Sequence, residues 1–200
     1  GTAGFQKGMK AAGGSLKAFQ GVVGSIQGQL AALGAGISLG ALASIGIKAA
    51  AEFEQAEVAL TTMLGSAETA KSLLADLSKF AAETPFEFPE LVQSAKMLAA
   101  FGVQAGNIVP TLRQIGDVSA GIGAPISEIA ELYGKAKVQG RLFAQDINQL
   151  TGRGIPIIGE LAKQFGVAES AVKDLVENGQ VNFGHLQKAF ESLTSEGGRF

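Results

Sequence analysis

Few residues in this chain have the chemistry for catalysis. His185 is the single histidine, and there is no cysteine or tryptophan. A metal site on His185 would need carboxylates converging on it, and none sits four residues away. A serine–histidine–acid triad has the residue types but no nucleophile-elbow pattern. His185 follows Phe183 at a helix start, so packing or capping is its expected role. Glu83, Glu87 and Glu90 cluster around Phe86 and Phe88. Paired carboxylates can do acid–base work, but at helix N-termini they complement the helix dipole, and that is the expectation. The missing thiols exclude a disulfide scaffold, a cysteine-based zinc site and thiol catalysis.

Other motifs resolve in the same way. Gly152-Arg153-Gly154 has neither the third glycine of a dinucleotide loop nor the Lys-Ser of a P-loop. Arg141 and Arg153 flank Asp146; a local ion-pair network is one reading, and plain ordering of the loop is the preferred one. Gln139-Gly140-Arg141 and Gly154-Ile155-Pro156 suit tight connections. Gly116-Asp117 suggests a helix interruption capped by Asp117. Residues 162–181 have the helix–glycine–helix look of a DNA-reading motif. Glu169, Asp174 and Glu177 would repel phosphate there, so a packing hairpin is expected.

The elements that position these residues divide near residue 52. Residues 1–51 carry four lysines and no acid, which leaves the rest at −6 against −2 overall. Of 28 glycines, 12 fall in residues 1–46, and Ala18 to Ile47 is free of charge. Within this segment Phe5, Met9, Ala12, Leu16, Phe19, Val23, Ile26, Leu30, Leu33 and Ile37 recur at alternating spacings of four and three. That 3.5-residue period is the seam of a left-handed coiled coil. Its interior glycines cost about 1 kcal/mol each relative to alanine, so the helix needs partner chains or an enclosing wall. The seam's mixed residues do not choose between dimer and trimer. A rival reading is a membrane span over Leu30–Ile47, with Gly24/Gly28 and Gly36/Gly40 as small-residue packing pairs. A signal peptide is not expected.

Residues 52–200 read as short helices with clear punctuation. Gly65-Ser66 ends one and caps the next. Pro85 stops a helix, while Pro89, Pro110, Pro125 and Pro156 each open one. Gly102, Gly166 and Asn178-Gly179 are stops. No sustained period-2 alternation occurs, so the fold class is all-α: a long Gly/Ala-rich N-terminal helix followed by a compact domain of six to eight helices.

Several separated motifs then match one family in order. They are MLGS at 63–66, FAAETPFEFPELVQSAKMLAAFGV at 80–103, LRQIGDVSAGIG at 112–123, GRLFAQDINQLTGRGIPIIGELAKQFGV at 140–167, VENGQVNFGHLQKAF at 176–190 and the closing EGGRF. Together they resemble the N-terminal domain of phage tail tape measure proteins. The resemblance covers roughly residues 50–200, and the preceding Gly/Ala-rich helix also fits. The positions that mark the family are Thr84, Pro85, Phe86, Gly116, Asp117, Gly140, Arg141, Asp146, Gln149, Gly154 and Pro156.

The resemblance implies a structural role, with no catalytic residue, metal or cofactor. Tape measure proteins fill the lumen of the growing tail, set tube length and leave during DNA ejection. It implies as partners further copies of the chain, the tail tube protein, tail assembly chaperones and tail tip or baseplate proteins. Contact with DNA would be indirect or weak. The chain would sit in the host cytoplasm during assembly, in the tail lumen of the virion, and at the host envelope during infection. The alternative is a membrane-inserting helical module that forms or aids a DNA conduit. The family usually continues beyond GGRF, so these residues are expected to be part of a longer protein.

Overall fold

Apolar residues at helical spacing, cut by glycines and prolines, produce a chain of helices in the computed structural model. It describes residues 39–200, with side chains from residue 51 onward. The proposed seam from Phe5 to Ile37 therefore lies outside the described residues. Nine α-helices and one 3-10 turn are present among the described residues, and no strand. They are α1 (Leu39–Leu64), α2 (Ala67–Glu83), α3 (Phe88–Ala100), α4 (Ala105–Ile122) and α5 (Ile126–Gln139), then α6 (Ala144–Gly152), α7 (Ile157–Phe165), α8 (Val172–Glu177) and α9 (Phe183–Thr194). The 3-10 turn, Glu169–Ala171, precedes α8. The long α1 is thus followed by eight further α-helices, the short segments 144–152 and 172–177 among them.

Contacts divide the chain into two units, Gly1–Gln55 and Ala56–Phe200. Helix α1 itself runs unbroken through residue 52. In the second unit α3 and α5 pack most extensively, and α4 lies against α2, α3, α5 and α9. The core is aliphatic: Leu74, Leu77, Leu91, Leu98, Ile108, Leu112, Ile115, Ile126 and Ile129 are fully buried, as is Phe190. Fully burying one such side chain contributes roughly 1.5–3 kcal/mol.

Most punctuation falls where the residue types require it. Ser66 is extended and its hydroxyl accepts the Thr69 N–H at 3.2 Å, satisfying one orphan donor of α2. At the end of α3, Gly102 takes φ +76° and lets Val103 N–H reach Leu98 C=O at 2.9 Å. That left-handed residue with a bond back across the last turn is the common glycine helix stop.

Three expectations are corrected. Pro110 does not open a helix: α4 begins at Ala105, with extended Gln104 as its cap, and Pro110 lies inside it. The proline removes one N–H, the partner of Gly106 C=O. The buried face of Ile108, Leu112, Ile115 and Val118 holds the helix through that gap. Gly116-Asp117 does not interrupt a helix either, since both residues lie within α4. Gly116 is there for packing. Finally, Glu83 is not at a helix N-terminus. It ends α2, where its carboxylate meets Arg113 at 3.3 Å and Lys79 at 3.9 Å. Glu87 and Glu90 do sit at the start of α3, beside Pro89.

Candidate functional site

The residues expected to mark the family do not converge on one reaction centre. They form joints between helices. The first joint is where α2 turns into α3. Thr84 caps α2, and its hydroxyl donates to Phe80 C=O at 2.7 Å. Pro85 cannot continue the helix. The chain then delivers Phe86 against Phe80, with ring centroids 6.3 Å apart. The Phe86 ring also lies on Gly116 of α4, where a β-carbon would stand 2.9 Å from Phe86 Cε2. Arg113, one turn earlier on α4, places its guanidinium 4.8 Å from the Phe80 ring centroid. Asp117 is exposed on the same helix. Partial burial pushes its carboxyl up, and the nearby Arg113 charge opposes that.

The second joint links α5, α6 and α9. Gly140 ends α5 at φ +73°. The strap that follows pairs with the approach to α9: Leu142 N–H donates to Val181 C=O at 2.9 Å, and Phe183 N–H to Gly140 C=O at 3.0 Å. Arg141 lies over the Phe143 ring, 4.4 Å from its centroid, a cation–π arrangement. Asp146 Oδ2 accepts the Phe143 N–H at 2.8 Å. It therefore caps α6 and is not the centre of an ion-pair network with Arg141 and Arg153. Arg153 instead reaches Glu128 on α5 at 3.2 Å and donates to Gln149 C=O at 3.1 Å. The alternative network does not form because Asp146 sits three residues after the helix cap, where a carboxylate reaches back to the backbone and orders the turn.

The third joint is the turn into α7. Gly154 takes φ +86° and Pro156 is the N-cap of α7. Along α7, Glu160 is buried against α9, with Lys163 Nζ 2.6 Å from Oε1. Burial raises this carboxyl, but hydrogen bonds from Lys163 and Ser192 and the Lys163 charge outweigh it and hold the group below its ordinary range.

His185 completes a reciprocal cap. Its N–H donates to Asn182 Oδ1 at 3.2 Å, and Asn182 N–H donates to His185 Nδ1 at 3.1 Å. Its ring lies 4.6 Å from that of Phe165. Burial and the charge of Lys188 hold its pKa below the ordinary value, so the ring is a neutral acceptor at neutral pH. Packing and capping are thus the roles this histidine takes. Among the described residues, no three His, Asp or Glu side chains are grouped to hold a metal ion.

Sequence reasoning missed several contacts. Gly134 on α5 leaves the space that the Phe101 ring occupies. Lys137 Nζ donates to Gly102 C=O at 2.8 Å, tying α5 to the end of α3. Tyr133 is buried against Phe183 and Phe190, with ring centroids 5.1 and 5.5 Å away. Burial raises its pKa, which hydrogen bonds to Gln187 and Thr111 oppose. A glycine inside a helical pattern was the one available signal for the first contact; the others depend on tertiary placement alone.

The candidate span Leu30–Ile47 lies partly outside the described residues. No described helix is long and apolar enough to cross a membrane. No curated protein and no solved structure matches the chain. A family model described as "Tape measure protein" matches residues 44–199. That match covers most of the chain's length, so the chain belongs to the tape measure protein family, the structural proteins of phage tails.

Proposed function

We propose that this chain sets tail tube length as a helical ruler in the tail lumen and leaves with DNA ejection. In this reading residues 1–51 associate with further copies through the seam from Phe5 to Ile37. The helical unit meets the tail tube protein, assembly chaperones and tip or baseplate proteins. The observation that carries the reading is helix α1. It runs unbroken for 26 residues out of the charge-free stretch and into the family-matched region. A helix rises about 1.5 Å per residue, so residue number converts directly to length, about 10 Å per heptad.

The test is removal of whole heptads from the full-length gene, with tail lengths read by electron microscopy. Shortening proportional to the residues removed is the expected result. Tails of unchanged length would overturn the ruler reading and leave the family membership untouched.

A further inference from the structure

After α9 the chain turns back on the helical unit. Ser195 N–H donates to Glu191 C=O at 2.9 Å, Gly198 N–H to Ser195 C=O at 2.7 Å, and Phe200 N–H to Leu193 C=O at 2.8 Å. Gly197 takes φ +80°, a left-handed conformation that side chains disfavour. A β-carbon on Gly198 would stand 2.6 Å from Leu193 O, a backbone atom that cannot swing away. The reversal therefore requires both glycines.

The turn delivers the Phe200 ring onto α4, into the space a side chain on Gly121 would fill. Beside this contact runs an open groove of about 630 Å³, bordered by Asp117, Ile122, Arg153 and Arg199. Phe200 is only half-buried, and residues 195–199 are exposed. Three backbone bonds, a Ser195 hydroxyl bond to Ser192 C=O at 3.2 Å and one ring thus hold the segment, whereas the core beneath α4 is fully buried. Segments with few buried apolar contacts and exposed backbone bonds open separately from a core.

We propose that Ser195–Phe200 is a clasp that opens and closes independently of the helical core and so switches the direction in which the chain runs on from α9. Closed, Phe200 seated on Gly121 draws the chain sideways across α4. Open, Gly197 and Gly198 are released from the reversal, and the chain runs out from the end of α9. The proposal rests on this local geometry and stands whether or not the protein measures tail length.

Residue-resolved amide exchange on the full chain tests it. The Phe200 amide should be protected relative to an unstructured peptide but exchange faster than the Ile115 amide in the core of α4. Phe200→Ala should speed Phe200 exchange at least tenfold and leave Ile115 unchanged. Gly121→Val should do the same by displacing the ring. Because both act on one contact, the double variant should be no faster than the faster single variant. An unprotected Phe200 amide in the natural chain would overturn the clasp. So would additive effects of the two substitutions, or equal acceleration at Ile115, which would make the contact part of global folding.

Discussion

The ring of Phe86 occupies the space that a side chain on Gly116 would need. A β-carbon at Gly116 would meet Phe86 Cε2 at 2.9 Å and Ile126 Cδ1 at 3.6 Å. Helix α4 thus keeps a glycine at its centre, at a propensity cost of about 1 kcal/mol relative to alanine, so that the α2–α3 joint can close. Gly116→Ala recovers that propensity and asks only the end of a half-buried ring to shift, so the two effects should nearly cancel. Gly116→Leu cannot be accommodated so easily and should cost about 2–3 kcal/mol through overpacking. Urea denaturation of both variants would check the contrast. Equal stability of the leucine variant and the natural chain would show that the Phe86 contact does not constrain this position.

Asp146 distinguishes capping from ion pairing. Its Oδ2 accepts the Phe143 N–H, a bond that an amide oxygen can also accept. Asp146→Ala should lower stability by about 1 kcal/mol, the usual size of a lost cap. Asp146→Asn should keep most of it. If asparagine and alanine were equally damaging, the carboxylate's charge would be the operative feature, and the alternative network with Arg141 and Arg153 would return.

Much of this framework was legible in the residues because punctuation is a local property. Ser66, Gly102, Pro156 and Gly166 each act within a turn of their own helix, and each lies where such residue types belong. What was not legible depended on partners distant in the chain. Gly116 read as a break because its reason is Phe86, thirty residues earlier. Pro110 read as a start because the buried stripe from Ile108 to Val118 overrides its local preference. Glu83 read as a dipole partner because nothing nearby in sequence announces Arg113. The candidate site followed the same rule: Asn182 and His185 lie three residues apart and their cap was foreseeable, while the Gly134–Phe101 and Lys137–Gly102 contacts were not.

Glu160 should make the α7–α9 contact sensitive to acid. Its carboxyl is held below the ordinary value near 4.5 by Lys163 and Ser192 despite burial. A group with a depressed folded pKa stabilises the fold above its unfolded pKa, and that contribution is lost as pH falls through the folded value. Glu160→Gln should therefore cost about 1–2 kcal/mol at pH 7 and progressively less below about pH 4.5. Lys163 is exposed, so the substitution strands no buried cation. Parallel denaturation curves at pH 7 and pH 3.5 would measure the difference. A penalty independent of pH would mean that Glu160 acts by shape and neutral hydrogen bonding alone.

The charge-free run from Ala18 to Ile47 carries the last prediction, which tests the ruler's surface and not its length. Gly21, Gly24 and Gly28 lie off the seam of Phe19, Val23, Ile26 and Leu30. On a seam-paired helix they face away from the partner, toward any enclosing wall. Replacing all three with glutamate would improve helix propensity by about 1–2 kcal/mol in total, so loss of helix could not explain a defect. It would also place three negative charges on a face that carries none. If that face slides within a tube, tails should assemble poorly or retain the protein after DNA release, with self-association of the purified chain unimpaired. Sedimentation of the purified chain and infectivity of the assembled particles would separate the two effects. Normal assembly and normal infection would show that the smooth, uncharged face is dispensable and that the glycines serve another purpose.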